Sequence, residues 1–272
     1  MEEVYALKLR IKYTKTGPLR FISHLDVMRF FQKAIKRAGF DVSYTKGFSP
    51  HQIISFAAPM PLGMTSEGEY FDGEFNSVTN TVDMMESINA VMPEWVRVLD
   101  IIKLEDKAKP SMALVSASDY IVYDNPQSEL KTVSRLIEKG IELPDTLVAI
   151  KRTKSGEKEE DIRPFVYGLG VCDTRTGDIK KWILDPAEKT AAVGDRIDIV
   201  TPLEMDEGLY MLLSAGSMNN LKPEALLSGL AGLNGLPYET GCERTHRIDT
   251  FMDVETETGI KLVSLKHSGD WF

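Results

Sequence analysis

The feature of this sequence that most constrains its fold is the order of hydrophobic patterns over its first hundred residues. Val4–Tyr13 alternates between apolar and polar residues as a strand does, and His24–Ala38 has apolar residues at helical spacing. Later segments follow the same two patterns in turn: strands at Asp41–Tyr44, Gln52–Ala58 and Glu69–Phe75, a helix at Val82–Val91, and a strand at Trp95–Leu104. Strands and helices are therefore mixed, and the chain cannot be an all-helical bundle or an all-β sandwich.

A second round of the same patterns follows a charged, proline-ended connector. Its predicted elements are strand Ala117–Tyr123, helix Gln127–Lys139, strands Thr146–Lys154, Arg163–Cys172, Lys181–Asp185, Arg196–Val200 and Gly208–Ala215, and helix Pro223–Leu233. Strand, helix, strands, helix, strand is the split βαβ order of ferredoxin-like domains. We predict an α+β protein of duplicated ferredoxin-like modules with antiparallel sheets. The modules would span residues 1–105 and 111–246, and residues 247–272 would form a C-terminal hairpin or tail that turns at Thr258-Gly259.

The first predicted helix has clear signals at both of its ends. Ser23 is a good N-cap with an acid, Asp26, three residues later, and Gly39 supplies a stop. One apolar stripe is expected to face the core: Leu25, Met28, Phe31, Ile35 and Ala38.

Composition places the chain among ordinary globular proteins of the cytoplasm. It has 43% hydrophobic and 27% charged residues, enough to bury a core without disulfides or metals. Its two cysteines, Cys172 and Cys242, match no disulfide framework or metal-ligand spacing. No apolar run approaches the roughly 20 residues of a membrane span, and the acidic Met1-Glu2-Glu3 is unlike a signal peptide. We expect a cytoplasmic protein.

Charge is distributed unevenly along the chain. The net charge is −9, which argues against a protein that simply coats nucleic acid. Residues 1–60, however, hold ten Lys/Arg and four Asp/Glu, a net charge of +6, so the rest of the chain carries −15. A polyanion would therefore bind near the start of the chain.

The helix His24–Ala38 carries this positive charge as a second stripe, opposite the apolar one. Its members are Arg29, Lys33, Lys36 and Arg37. Such a stripe is often no more than a solvated helix face. Here it lacks the interleaved acids that would form i,i+4 ion pairs, and it could meet successive phosphates of RNA.

Two histidines of the same region, His24 and His51, could form an acid–base pair if the strand after His51 packed beside the start of the helix. Such a pair could cleave RNA without a metal. A histidine at a helix start also commonly makes only local hydrogen bonds, and His246 and His267 lie in the other half of the sequence without companions. We therefore predict no metal site.

Other chemical motifs are weak or missing. Glu67 and Glu69 alternate on one face of a strand, together with Asp72 and Glu74 nearby; they could hold magnesium, but such acids more often keep a sheet edge soluble. The sequence has no phosphate-binding glycine loop, no nucleophile elbow and no cysteine triad for an iron–sulfur cluster. We predict no catalytic residue and no cofactor.

One long stretch resembles a known family. The residues concerned are Leu19-Arg20-Phe21-Ile22-Ser23-His24-Leu25-Asp26, Met28-Arg29, Ala34 to Phe40, Gly47-Phe48-Ser49-Pro50-His51, Ile54-Ser55-Phe56-Ala57, Pro59-Met60-Pro61-Leu62-Gly63 and Ser66-Glu67-Gly68-Glu69-Tyr70-Phe71-Asp72. In order and spacing they resemble the signature of the radical-SAM-linked protein family. One departure is Gln52, where that family commonly has proline.

The resemblance implies a partnership. Members of that family are encoded beside, or fused to, a radical SAM protein, often one with a cobalamin-binding region. We therefore expect a non-catalytic, substrate-presenting subunit of a radical SAM protein that binds structured RNA, tRNA or rRNA, through the basic helix. The alternatives are a metal-independent RNA-processing enzyme that uses His24 and His51, and a pure protein-interaction module. The residues expected at the RNA or partner surface are Arg20, His24, Asp26, Arg29, Lys33, Arg37, Lys46 and His51.

Overall fold

The computed structural model describes residues 6–153, 156–190, 196–217, 219–257 and 259–272. The chain has a mixed α+β fold with a mostly antiparallel sheet and few helices. It divides into two compact units. Unit 1 contains the described residues up to Val115, together with Thr250–Met252 and Ser264–Phe272; unit 2 contains Ser116–Asp249 and Asp253–Val263. Four residues of the predicted elements, Val4, Tyr5, Lys154 and Thr258, lie outside the described residues.

Unit 1 follows the predicted order of elements. These are β1 (Leu7–Lys15), α1 (His24–Arg37), β2 (Asp41–Val42), β3 (Ile54–Phe56), β4 (Thr65–Ser77), α2 (Thr81–Asn89), β5 (Val98–Lys103) and a single helical turn, α3 (Ser111–Leu114). In the sheet, β1 lies between β5 and β4, and β4 also pairs with both β2 and β3; all these pairs are antiparallel.

The core of unit 1 lies between one face of this sheet and the two longer helices. Leu9, Ile11 and Tyr13 alternate along β1 and pack with Phe31 of α1 and Ile88 of α2. Burial of this alternating face fixes the register of β1, since a slip by one residue would turn the whole set away from the helices.

The stripe of α1 that faces the core differs from the predicted one. Its buried residues are Val27, Phe31, Ala34 and Ile35. The prediction of Leu25 as a core residue is wrong, because its side chain is 62% exposed. The i, i+4, i+7, i+8 spacing of the buried set is as regular as the predicted one, so periodicity alone did not distinguish the two stripes.

Unit 2 repeats the order with additions. Its elements are β6 (Val115–Asp124), α4 (Thr132–Lys139), β7 (Val148–Thr153), β8 (Gly156–Asp161), β9 (Val166–Asp173), β10 (Ile179–Leu184), β11 (Glu207–Ser214), α5 (Pro223–Leu233), β12 (Glu243–Thr256) and β13 (Gly259–Ser264). The strand order is β10-β9-β11-β6-β12, with β13 paired to β12, while β7 and β8 form a separate hairpin. Helices α4 and α5 supply Leu136, Leu226 and Leu230 to its core.

Two predictions for unit 2 are corrected, and one strand of unit 2 was not predicted. The helix predicted from Gln127 begins at Thr132. The strand predicted at Arg196–Val200 is absent from the described part of that segment, where Arg196 makes only an isolated bridge to Asp178. Strand β8 was not predicted, because its sequence of mostly charged residues has no alternating apolar face.

Candidate nucleic-acid interface

Helix α1 is fixed at both ends by its own sequence. The Ser23 hydroxyl accepts a hydrogen bond from the backbone N–H of Asp26 at 3.3 Å and donates one to the Asp26 carboxylate at 2.7 Å. At the other end, Gly39 takes a left-handed φ of 77°, where its N–H donates to the carbonyl of Lys36. Asp26 therefore helps to fix the start of α1, three residues after the N-cap Ser23, where we predicted it.

The basic residues predicted on α1 are all exposed on the surface of unit 1. Arg29, Lys33 and Arg37 succeed one another at steps of four residues, about 6 Å of helix rise each, and Lys36 lies beside them. Arg37 donates to the carbonyl of Val91 at 3.2 Å, and Lys36 lies 5.8 Å from the centroid of the Tyr44 ring.

The cations of this face are only weakly neutralised. Arg29 lies 3.4 Å from the Asp26 carboxylate, but the two side chains are 70% and 56% exposed, so water screens the pair. Lys33 has no ion pair or hydrogen bond within the described residues. We call Arg29, Lys33, Lys36 and Arg37 the basic face.

A narrow hairpin tip beside β2 carries further candidate residues. Thr45 and His51 close it: the Thr45 N–H donates to the His51 carbonyl at 2.9 Å, and the Thr45 Oγ1 lies 3.0 Å from His51 Nδ1. Gly47 allows the turn with φ 123°. Lys46 and Phe48 are exposed at the tip, and the Phe48 side chain is fully exposed to solvent. We call residues 45–51 the tip loop.

Arg20 and an exposed aromatic residue lie just before α1. The Arg20 guanidinium stacks over the Phe21 ring at 5.0 Å, and the Arg20 carbonyl accepts from Gly63 N–H at 2.8 Å. Phe21 is itself exposed. Exposed rings combined with cations are typical of single-stranded nucleic-acid sites, because every base has a face that can stack.

His24 lies at the start of α1 in a half-buried position. Its ring meets Phe56 edge-on, with centroids 5.4 Å apart. Burial lowers the pKa of His24 below the ordinary 6.5; Glu69 opposes this shift and Lys15 adds to it. The neutral imidazole is therefore favoured.

The structure does not bring His24 and His51 together. His24 contacts Phe56, whereas His51 contacts Thr45 within the tip loop, and among the described residues no ring contact or hydrogen bond joins the two histidines. The predicted acid–base pair would need such a contact or a shared substrate position.

The acidic residues of β4 are not at a soluble sheet edge. Glu67 and Glu69 are 1% and 5% exposed, so this interpretation is wrong. Both lie in the stretch of β4 beside β1, where Tyr13 faces Glu69 across the ladder. An apolar-polar alternation on a single strand does not reveal which strands will flank it.

One buried ion pair was missed. Arg10, 1% exposed, donates to both oxygens of Asp72, at 2.8 and 3.1 Å, and also to Ser268 Oγ at 2.5 Å and the Lys109 carbonyl at 3.2 Å. Asp72 further accepts from the N–H of Ser111. The even position of Arg10 in the alternation of β1 places it on the face away from α1 and α2. The sequence contained only an indirect signal of this ion pair: other residues had to cover the face of β1 that carries Arg10.

Neither cysteine offers a nucleophile. Both Cys172 and Cys242 are buried free thiols. Burial raises the pKa of Cys172 to about 12, so its reactive thiolate form is scarce at neutral pH. Within the described part of the chain, no helix reaches the length and apolarity that a membrane span requires.

Sequence comparison now assigns the family. Residues 8–223, from β1 to the first residue of α5, match a family of uncharacterized proteins conserved in bacteria, DUF2344. The chain belongs to this family. Both units contribute to the match, and so do the basic face and the tip loop. No protein with a curated description matches the chain. The radical SAM partnership expected from residues 19–72 is outside what the family match establishes, and it stays a prediction.

Proposed function

We propose that unit 1 binds structured RNA through the basic face of α1 and the tip loop, as the substrate-presenting subunit of a radical SAM protein. The observation that supports this most is the set of exposed, weakly paired cations at four-residue steps on α1. They lie in the one stretch of an acidic chain where positive charge prevails.

The division of work within the site follows from the chemistry of each group. Arg29, Lys33 and Arg37 would position phosphates, which gives affinity without sequence preference. Lys46 would extend this charge at the tip loop. The uncovered Phe48 ring would stack on an unpaired base, as aromatic residues do at loops and bulges of RNA.

The strand order of each unit supports the proposal that the unit is a ferredoxin-like module. In unit 1 the main elements follow one another as strand–helix–strand–strand–helix–strand. The sheet order β5-β1-β4-β3 places these strands side by side as fourth, first, third and second. In unit 2 the order β12-β6-β11-β9 is the same when β7, β8 and β10 are treated as additions. Duplicated split βαβ modules account for both orders.

Salt-dependent RNA binding tests the proposal. Fluorescence anisotropy with labelled tRNA and rRNA fragments would be measured between 50 and 200 mM salt. The double variant Arg29→Ala plus Lys33→Ala should weaken binding about tenfold and should lower the slope of log K against log salt by about 2, one for each lost phosphate contact.

The matched control removes the same charge elsewhere. Arg135→Ala plus Lys181→Ala changes two exposed cations of unit 2 and should leave the salt slope within experimental error of the wild type. No binding at low salt would refute the RNA proposal, and equal losses in the two double variants would refute the assignment to the basic face.

The partner is tested separately. The tagged protein would be purified from a native bacterial cell with and without nuclease treatment. We expect a radical SAM protein to co-purify in both preparations. Its loss after nuclease would show contact through RNA only, and its absence from both would refute the partnership. The buried, free state of both cysteines supports the cytoplasm as the compartment.

A further inference from the structure

Unit 2 contains a cleft that the proposed RNA site does not use. Its volume is about 660 Å³, within the range of small-molecule sites. It lies where the loop before α5, the first turns of α5 and the segment after α5 meet the hairpin β7–β8. Ile162, Phe165 and Leu221 supply an apolar wall, while Glu224 and Tyr238 supply polar groups.

The polar end of the cleft has excess negative charge. Glu224 is half-buried, and its buried Oε2 atom has no hydrogen-bond partner. Nearby, the Tyr238 hydroxyl donates to Glu243 Oε1 at 3.2 Å, and Glu243 is only 7% exposed. Burial, followed by the carboxylates of Glu243 and Glu224, raises the pKa of the Tyr238 phenol far above its ordinary value. Glu224 and Tyr238 line the cleft, and Glu243 is hydrogen-bonded to Tyr238.

No cation of the described chain balances these two carboxylates. The donors to Glu243 are the Tyr238 hydroxyl and the Cys242 thiol, at 3.2 and 3.4 Å, and both are neutral. Among the described residues, no Lys or Arg forms an ion pair with Glu224 or Glu243. A buried carboxylate without a cation or enough donors is costly, so a bound cation would remove a penalty that the protein otherwise retains.

The start of α5 favours a cation over an anion at this position. Helix N-termini attract anions through free N–H groups, but here Pro223 has no N–H and Glu224 already places a carboxylate in the first turn. The side chain of Lys222 lies exposed on the lining of the cleft without compensating Glu224.

We propose that this cleft binds a small organic cation: an ammonium or guanidinium group on a short apolar stem. The charged group would lie against the half-buried Glu224 carboxylate and the Tyr238 ring, which attracts cations through its face. The stem would lie along Ile162, Phe165 and Leu221. This site is independent of RNA binding by unit 1.

Agmatine is the probe, because it carries both cationic groups on a four-carbon stem. Isothermal titration calorimetry with the full chain, at constant ionic strength, should give saturable one-site binding. 1,4-Butanediol and succinate match the stem without positive charge and should not bind. Glu224→Gln should weaken agmatine binding at least tenfold. This variant removes a half-buried charge that has no ion-pair partner among the described residues, so it should fold at least as stably as the wild type.

Two measurements separate a site from general attraction to an acidic protein. Glu129→Gln removes the same charge from an exposed position and should leave agmatine affinity unchanged. In amide NMR spectra, agmatine should shift signals of Glu224, Ala225 and Ser228 and not those of α1. Equal affinity in Glu224→Gln, absence of saturable binding, or shifts scattered over the surface would each overturn the proposal.

Discussion

At the scale of single residues, unit 1 contains a buried ion pair, Arg10–Asp72, that further hydrogen bonds support. Arg10 is almost inaccessible, yet its guanidinium makes four hydrogen bonds, two of them to Asp72. Loss of one partner from such a pair costs on the order of 3–5 kcal/mol, because the other charge is left uncompensated. The surface pair Arg29–Asp26, by contrast, contributes at most about 1 kcal/mol. Charge can therefore be changed on α1 for binding experiments without unfolding the protein.

His24 should give the protein a measurable pH dependence. Its pKa is lower in the folded state than the ordinary 6.5, mainly because of burial. As the pH falls below that ordinary value, the unfolded chain takes up the proton first, and stability decreases. The urea midpoint of the wild type should thus decline between pH 7.5 and 5.5 by more than that of His24→Gln.

The three other histidines and all carboxylates are shared by both proteins, so the difference between the two curves isolates His24. Parallel curves, or a steeper decline in His24→Gln, would contradict the inferred direction of the shift.

Residue-level prediction from sequence was correct where short-range chemistry decides. Ser23 as N-cap and Gly39 as the stop of α1 were both predicted, since each acts on backbone groups within a few residues. Leu25 and the pair Glu67 and Glu69 were misplaced, because their burial depends on partners distant in sequence. For the candidate site, exposure of the basic face was predictable, whereas the separation of His24 from His51 required the actual path of the tip loop.

At the scale of elements, α1 holds the basic face in register, and its start depends on one hydroxyl. Ser23→Ala should lower stability by about 1 kcal/mol, the usual value of an N-cap. For a chain of this size that corresponds to a decrease in Tm of roughly 2–4 °C. Differential scanning calorimetry would measure it.

Ser87→Ala is the matched control for the cap. The Ser87 hydroxyl donates to the Asp83 carbonyl inside α2, a bond that contributes little to helix stability. Its Tm should stay within about 1 °C of the wild type, given the small cost of exposed surface substitutions. Equal decreases for both variants would mean that Ser23 does not act as a cap.

Elements with a strong periodic face were predicted to within a few residues, as α5 and β11 show. Short or highly charged elements were not. The single turn α3 begins after Pro110 and is held by the Asp72 carboxylate, which accepts the N–H of Ser111. That contact joins residues 39 positions apart, and no local pattern indicates it.

At the scale of the whole molecule, unit 1 is completed by the last residues of the chain. Ser268 binds Arg10, Asp270 pairs with Lys103 through two backbone hydrogen bonds, and Phe272 packs against the core while its carbonyl accepts from Thr81 N–H. This segment, residues 268–272, acts as a strap for β1, β5 and α2.

Deletion of residues 268–272 should therefore destabilise unit 1 by about 4 kcal/mol, at roughly 1 kcal/mol for each of the four hydrogen bonds named above. Urea unfolding would measure this. Trp271→Ala is the control: its indole is exposed and donates only to Asp100, so the variant should lose less than about 1 kcal/mol. If the deletion and the point variant had the same midpoint, the strap would contribute nothing to unit 1.

The strap has a consequence for how the protein is made. A ribosome synthesises β1 well before residues 268–272, and the whole of unit 2's sequence, up to Val263, emerges between them. Unit 1 therefore begins to emerge before unit 2 but can complete its fold only after unit 2 has been synthesised. During that interval the guanidinium of Arg10 lacks Ser268, and the edge of β5 lacks Asp270. The nascent chain is therefore expected to need protection from aggregation until residues 268–272 have been translated.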